Sequence, residues 1–323
     1  MMKLISVILL LFVALISLSI GSYDINITQN LKFIYAIFNK NILNENDYLA
    51  FMIFIKLRLI RIIAAFLVGG ALSLCGAIFQ GIFANNMASS YTLGLNSAAC
   101  FGASVAILLS LPSIFTQIFA VLSALISLLF CIFVKDKNSI ILAGILIAAF
   151  FQSLIALIKF IADPFLKLPQ IVFWLLGSFS AVRFEDIILI LPLYIFSLVF
   201  LFLLRFKINI LCVNDNFAKS FASDNKKLRI LVIFLCTLLS ACAVCLCGII
   251  AFVGVIIAHF VRFFGVYNYS KLLFYSFIYG GIYLIIIDDF ARAISDVELP
   301  IGVFTSIIGV VILIFILIKE KKC

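Results

Sequence analysis

The feature that most limits the fold of this chain is a series of apolar runs, each about as long as one membrane crossing. A transmembrane helix needs about 20 predominantly apolar residues. Read at that length, the sequence divides into about ten predicted spans, at residues 4–20, 62–83, 93–112, 115–134, 140–162, 187–205, 229–248, 250–266, 272–288 and 301–318. A further apolar stretch at 168–182 is too short to cross the membrane by itself.

The composition excludes several other classes of protein. Hydrophobic residues make up 66% of the chain and charged residues 11%, against roughly 25% charged residues in soluble domains. So few charges cannot cover the surface of a soluble enzyme, and so high an apolar content excludes disorder. The net charge of +9 comes from Lys and Arg scattered among apolar runs, which is not the basic patch of a nucleic-acid-binding protein. The sequence predicts an all-α polytopic membrane protein in which residues 1–323 form one transmembrane domain.

The basic residues of the loops predict the orientation. If the N-terminus lies in the cytoplasm, most of the 23 Lys and Arg fall on the cytoplasmic side of the membrane, including those of the segment 205–229. We therefore expect both termini in the cytoplasm and the spans in the inner membrane. The asparagine-rich segment 21–57 is then an external loop with a short interfacial helix. The run 4–20 is interpreted as a retained helix, with a cleaved signal peptide as the alternative.

Polar groups that could perform catalysis are few. The chain has one His, no Ser-His-Asp set and no Walker-type phosphate loop, so a partner must supply any ATP hydrolysis. Cys242, Cys245 and Cys247 form a C-x-x-C-x-C pattern, but in an apolar run thiols pack as small hydrophobic groups. We expect no metal site and no cofactor. Asp288 and Asp289 are placed at the end of the ninth span without a role inside the membrane.

Small residues are concentrated in three of the predicted spans, including Gly69, Gly70 and Gly76 in the second and Gly280 and Gly281 in the ninth. Such positions let helices approach closely or line a passage. The sequence leaves both interpretations open.

Short motifs in a fixed order resemble those of the iron-siderophore and cobalamin ABC importer permeases. They are RLIRIIAAFLVGGAL at 58–72, GAIFQGIFAN at 76–85, YTLG at 91–94, LAG at 142–144, FWLLGS at 173–178, FVGVIIAH at 252–259 followed by Arg262, and ELPIG at 298–302. The resemblance covers nearly the whole chain. Ile60, Asn86 and Ala258 stand where the family has proline, which puts the local bending at those sites in doubt more than the fold.

The resemblance implies the fold of a type II ABC importer permease with about ten helices per subunit. It also implies the partners. A second permease subunit, identical or paralogous, completes a central pathway, two ATP-binding cassette ATPase subunits bind below, and a periplasmic substrate-binding protein delivers the cargo from outside. The permease itself is then not an enzyme, and it binds membrane lipid but no nucleic acid.

The resemblance further implies roles at the two ends of the second span. Arg58, Arg61 and Arg292 match arginines that receive glutamates of the binding protein, a role for which the planar guanidinium fork is suited. The residues that match the cytoplasmic gate and the pathway beside it are Gln80, Phe83 and Asn85.

The segment 205–229 is the expected ATPase contact. Its residues 214–222 resemble the coupling element of the family, in which a short helix transmits closure of the ATPases as a rigid-body shift. The matching positions are Asp215, Ala218, Lys219 and Ser220.

The predicted cargo is an iron-siderophore chelate, with cobalamin or haem as the alternative within the class. From a different class, an ion-coupled secondary transporter would need ionisable coupling residues inside the membrane, and the predicted spans hold few of them. A membrane-embedded enzyme would need a polar catalytic cluster, which the sequence lacks.

Overall fold

The computed structural model describes residues 2–21, 23, 25–38, 47–133, 139–212, 225–294 and 298–320. Within these ranges the secondary structure is helical, without a strand. The helices are α1 (Met2–Ser17), α2 (Ile27–Phe38), α3 (Tyr48–Ile82), α4 (Leu95–Leu108), α5 (Ser113–Phe133), α6 (Ser139–Ile161), α7 (Lys167–Leu176), α8 (Phe184–Leu203), α9 (Arg205–Cys212), α10 (Asn225–Cys247), α11 (Val253–Phe263), α12 (Tyr269–Ala293) and α13 (Ile301–Glu320).

Each of the ten predicted spans coincides with a helix, and the short stretch at 168–182 is represented by α7. Among the described residues, six helices are long and apolar enough to cross a membrane, namely α3, α5, α6, α8, α10 and α12. Others are shorter, with 14 residues in α4 and 11 in α11. The predicted boundaries are correct to within a few residues at most ends, because an apolar run ends where polar residues reach the membrane surface.

The start of α3 corrects the prediction that 21–57 is a loop. The short helix expected there is α2, but the chain is helical again from Tyr48 and continues for 35 residues to Ile82. Residues Phe54–Leu59 form a π-helical segment within it. The asparagines on which the loop prediction rested all precede Tyr48. From Tyr48 onward the chain is mostly apolar, and Phe51 and Phe54 are buried.

Glycine pairs bring α3 into close contact with α11 and α12. A Cβ atom on Gly69 would meet the backbone of Gly280, and one on Gly76 would lie 2.5 Å from the Cα atom of Gly254. These small residues therefore pack helices together, which decides between the two interpretations left open by the sequence. α10 fills the other side of α3 and contacts α5 and α8, while α1 lies along α12.

Three chain segments that are distant in sequence are hydrogen-bonded to one another at the ends of their helices. The backbone N–H of Ser178 donates to the carbonyl of Cys247 at 2.9 Å, and that of Gly302 donates to Gly177 at 3.3 Å. Gly177 and Gly248 have φ of 76° and 71°, which glycine adopts without strain. The end of α7, the link between α10 and α11 and the start of α13 are thus joined through their backbones.

The helix bundle has two ends, each with its own set of polar residues. The arginine end holds Arg61, the last turn of α12 and the start of α13, while the Asn85 end holds the last turn of α3. Lys3 lies 5.4 Å from the ring centroid of Phe274, so α1 begins near the start of α12 at the Asn85 end.

Candidate functional site

Arg61 connects α3 to two carboxylates at the arginine end. Its Nε atom donates to both oxygens of Asp288, at 2.9 and 2.8 Å, and its Nη1 atom donates to both oxygens of Glu298 at 2.8 Å. Asp288 is almost completely buried, whereas the side chain of Glu298 is 43% exposed. One guanidinium therefore bridges a buried acid and an acid that solvent can reach.

Arg292 extends this arrangement to the first helix. Its Nε atom lies 3.2 Å from a carboxylate oxygen of Asp288, and its Nη2 atom also pairs with Asp289. The same guanidinium donates to the hydroxyl of Ser17 at 3.0 Å and to the carbonyl of Ile20 at 2.9 Å. The end of α1 is in this way fastened to the last turns of α12.

Arg58 completes the cluster by a different kind of contact. Its guanidinium donates to the backbone carbonyls of Leu18 and Tyr23, in the segment after α1. Together with Arg61 and Arg292 it supplies three positive charges, which balance the three carboxylates named above. Burial of these charges is possible because each has a partner of opposite charge or a hydrogen-bond acceptor.

The three arginines predicted to bind a partner are therefore brought together, but their guanidinium groups are buried inside the chain. The docking role stays a prediction. Asp288 and Asp289 lie in the last turns of α12, near the predicted helix end, but the helix continues to Ala293 and both carboxylates are buried in this cluster.

Two cavities open beside the arginine cluster. One of about 190 Å³ is lined by all three arginines and Glu298. The other, of about 760 Å³, lies between the 178–183 segment, α5, α7 and the end of α10, and it also reaches Glu298. Gln117 lines this second cavity and is 6% exposed, and its side-chain oxygen has no hydrogen-bond partner among the described residues.

At the opposite end, Gln80 receives a hydrogen bond from Arg262. The Nη2 atom of Arg262 also lies 3.4 Å from the carbonyl of Ala77 and 3.4 Å from the hydroxyl of Tyr269. The contacts tie the last turns of α3 to α11 and to the first residue of α12. Gln80 is buried, so in this chain its side chain packs between helices.

Phe83 and Asn85 lie in the turn directly after α3, where their side chains make local contacts. The ring of Phe83 stacks on Phe79 with centroids 6.0 Å apart, and the guanidinium of Arg229 lies 5.5 Å from the Phe83 centroid. The N–H of Asn85 donates to the carbonyl of Gln80 at 3.0 Å, and its side-chain oxygen accepts from Met87 at 2.9 Å. Phe83 is buried and Asn85 is half-buried, and their part in a gate stays a prediction.

The predicted coupling residues lie outside the described part of the chain; they are Asp215, Ala218, Lys219 and Ser220. The helix before them, α9, is described and is anchored. The Asn209 side chain accepts from the N–H of Tyr269 at 2.8 Å and donates to the side chain of Asn268 at 3.0 Å. The start of the predicted ATPase contact is therefore joined to the start of α12.

The motifs quoted from the sequence meet in pairs. Arg61 of the first motif binds Glu298 of the last, and Gly177 of FWLLGS binds Gly302 of ELPIG. Gln80 in turn binds Arg262. Sequence reasoning treated each motif separately and missed these pairs, since each pairing joins residues that are more than a hundred positions apart.

Among the described residues, all cysteines except the half-buried Cys212 are buried. Cys245 and Cys247 are buried, and the thiol of Cys75 lies 3.3 Å from the carbonyl of Cys236. Over the ranges that the structure describes, no group of three or more His, Cys, Asp and Glu side chains could hold a metal ion.

The chain is similar to transport permeases along almost its whole length. A family model described as the FecCD transport family matches residues 9–319. The molybdate import system permease protein MolB of Haemophilus influenzae is 33% identical over 97% of this chain and 94% of that protein. The "Probable iron chelatin transport system permease protein" of Helicobacter pylori is 31% identical over 95% of each chain. A solved structure described as a metal-chelate type ABC transporter in an inward-facing conformation superposes with a TM-score of 0.83 at 31% identity, covering 98% of this chain and 97% of the other.

Proposed function

The chain belongs to the FecCD transport family and is a permease subunit of an ABC importer, and from this premise we propose that it carries an iron-siderophore chelate across the inner membrane. Its fold is that of a type II importer permease, as the sequence predicted. The cargo is favoured by the similarity to an iron chelatin permease. Molybdate is a second candidate, favoured by the 33% identity to MolB, and cobalamin or haem is the remaining alternative.

The observation that carries the importer mechanism is a pair of motif clusters on α3, one at Arg61 and the other at Gln80 near the end of the helix. Arg61 and Gln80 are 19 residues apart on this helix, which is roughly 28 Å at 1.5 Å per residue. The hydrocarbon core of a bilayer is about 30 Å thick. A buried helix with one polar cluster near each membrane surface is suited to transmit a movement from one side to the other.

We assign the arginine end to the side of the binding protein. Arg58, Arg61 and Arg292 are held within the chain, so a docking glutamate reaches the cluster through Glu298, its half-exposed member. A carboxylate of the partner would compete with Glu298 for the guanidinium of Arg61. Because charge-assisted pairs of this kind are strong, such an exchange is a means of recognition at this surface.

We assign the Asn85 end to the ATPase side. Here α9 leads into residues 213–224, which hold the predicted coupling positions Asp215, Ala218, Lys219 and Ser220. The contacts of Asn209 with the start of α12, and of Arg262 with Gln80, give a movement of this segment a direct route to α3 and α12. Two ATPase subunits at this face supply the ATP hydrolysis in this proposal.

The pathway would lie along α6 and a second permease subunit, identical or paralogous. α6 is largely exposed in the single chain, and Gln152 and Ser153 in its middle are exposed polar side chains. The Ser153 hydroxyl donates to the carbonyl of Ala149 at 2.9 Å, and the Gln152 amide nitrogen donates to the Ser97 hydroxyl at 3.4 Å. A carboxamide can form further hydrogen bonds, and lipid offers none, so the exposed Gln152 side chain favours a protein neighbour or a water-filled cavity at this depth. These two residues are therefore better candidates to line the pathway than Gln80 and Phe83, which are buried within the subunit.

We propose that both termini lie in the cytoplasm and that α1 is retained. The start of α1 and the end of α13 lie on the Asn85 side of the bundle, which matches the positive-inside expectation. Cleavage after residue 20 would remove Ser17 and Ile20, two of the groups that bind Arg292.

Reconstitution tests the proposal. The permease, its ATPase subunits and its binding protein are placed in proteoliposomes, and uptake of radiolabelled ferric siderophore, molybdate and cobalamin is measured. Uptake of the ferric chelate that requires both ATP and the binding protein is the expected result. Uptake of molybdate but not of the ferric chelate would identify molybdate as the cargo instead. Uptake driven by an ion gradient without ATP would contradict the proposed importer mechanism.

A further inference from the structure

A groove between α5 and α10 is apolar along its length and ends at one basic side chain. Five leucine and isoleucine side chains of α5, between Leu122 and Leu129, form one wall, and Ile230, Leu231 and Phe234 form the other. Lys227 is the charged residue among those that line it. The groove has a volume of about 670 Å³, within the roughly 300–1,000 Å³ of typical small-molecule sites.

The groove begins at the Asn85 end of the bundle. Lys227 stands in the first turn of α10, and Arg229, two residues later, has its guanidinium over the ring of Phe83. From Lys227 to Phe234 the helix rises by seven residues, roughly 10 Å. Half of the hydrocarbon core is about 15 Å. The groove therefore runs from the polar boundary of the membrane into one leaflet.

Its walls face outward from the chain. Leu122, Ile126 and Leu129 are each more than half exposed, and Leu231 is 42% exposed. In a membrane protein such walls meet hydrocarbon, and an acyl chain is the apolar group of matching shape. The mouth is basic, because Lys227 is exposed there and carries a flexible ammonium group that reaches toward the lipid headgroup level.

We propose that this groove binds an anionic glycerophospholipid, with one acyl chain between α5 and α10 and the phosphate at Lys227. Basic pockets between transmembrane helices on the cytoplasmic side are suited to anionic headgroups. The first turn of α10 adds the positive end of the helix dipole. The bound lipid would join α5 to the start of α10, the helix that directly follows residues 213–224.

Native mass spectrometry of the full-length chain in detergent tests the site, because it counts single bound lipids. Phosphatidylglycerol and phosphatidylcholine with the same acyl chains are titrated. Phosphatidylglycerol is expected to bind more tightly, and Lys227→Gln is expected to weaken it about five-fold, which corresponds to about 1 kcal/mol per basic side chain at an anionic lipid surface. Equal affinity for the two lipids would overturn the proposal.

Two matched controls separate the groove from the general surface. Lys226→Gln removes the same charge one residue away, outside the groove lining, and is expected to keep most of the affinity. Ile126→Trp fills the groove and is expected to reduce binding of both lipids, whereas Ile118→Trp on the same helix, also exposed, leaves it unchanged. If Lys226→Gln weakens binding as much as Lys227→Gln, the attraction is only surface charge and the site is refuted. If Ile126→Trp separates subunits and lipid binding stays intact, the groove is instead a protein contact.

Discussion

Arg61 and Asp288 are joined by two hydrogen bonds at 2.9 and 2.8 Å across 227 positions of sequence. The pair holds the arginine end of the bundle together by joining α3 at Arg61 to the last turns of α12. Because Asp288 also lies 3.2 Å from Arg292, one buried carboxylate balances parts of two guanidinium groups. Loss of this carboxylate would therefore remove a charged partner from both Arg61 and Arg292.

We predict that Asp288→Asn is among the most destabilising single substitutions in the chain. It keeps the shape of the side chain but removes the charge, so two buried arginines lose their shared partner. Breaking a buried ion pair costs about 3–5 kcal/mol. The measurement is the unfolding temperature of the purified permease in detergent. Lys32→Gln, which breaks the more exposed pair with Asp47, is the control and is expected to cost about 0–1 kcal/mol. Equal effects of the two substitutions would show that the arginine cluster contributes little.

The backbone junction at Gly248 gives a second prediction. Gly248 and Gly265 have nearly the same φ, 71° and 75°, so an alanine at either position meets similar backbone strain. A Cβ atom on Gly248 would collide with the carbonyl oxygen of Trp174, whereas one on Gly265 has no heavy atom within 4 Å. We expect Gly248→Ala to be less stable than Gly265→Ala by about 1–3 kcal/mol, the usual cost of overpacking. Thermal unfolding of the two variants side by side measures this difference, and indistinguishable melting curves would contradict the close packing of α7 on the α10–α11 link.

A third prediction concerns transmission from the ATPase side, and it depends on the proposed function. Asn209→Ala removes both contacts of α9 with the start of α12. We expect ATP hydrolysis by the assembled complex to continue while substrate uptake per ATP falls, because the movement of the 213–224 segment no longer reaches α12. Lys207→Gln, an exposed position on the same helix, should leave the ratio of uptake to hydrolysis unchanged. Parallel loss of hydrolysis and uptake in Asn209→Ala would point instead to failed assembly.

Each apolar run predicted to span the membrane corresponds to a helix, in the same order along the chain. The spans could be located because each must be long enough to cross the hydrocarbon core of the bilayer. That length, about 20 apolar residues, can be read from a contiguous stretch of sequence. The motif order identified the family for the same reason, since each motif is short and contiguous. What the sequence could not provide was the partner of each polar residue. Arg61, for example, pairs with Asp288, which lies 227 positions away along the chain.

The residues predicted for the pathway show a related difficulty. Gln80 and Phe83 belong to a motif that resembles the family's pathway motif. In the structure, however, Gln80 packs against Arg262 of α11, and Phe83 packs against Arg229. Helix periodicity tells which residues share a face, and it does not tell which neighbouring helix covers that face. The exposure of Gln152 and Ser153 on α6, for which we propose a place in the pathway, follows only from the packing of the other helices.

The last prediction tests recognition at the arginine end. Direct substitution of Arg58 or Arg61 is a poor probe, because both side chains are buried and support the fold. Glu298→Gln instead weakens only the exposed competitor for Arg61 and leaves the pair with Asp288 in place. We expect the binding protein to dock more tightly, by about two- to five-fold, since a partially exposed ion pair contributes up to about 1 kcal/mol. Surface plasmon resonance at physiological salt measures the affinity. Glu185→Gln, an exposed acid at the start of α8, removes the same charge near this end and serves as the control. Tighter docking for both variants would reflect net charge alone, and an unchanged affinity for Glu298→Gln would exclude exchange at Arg61 as the means of recognition.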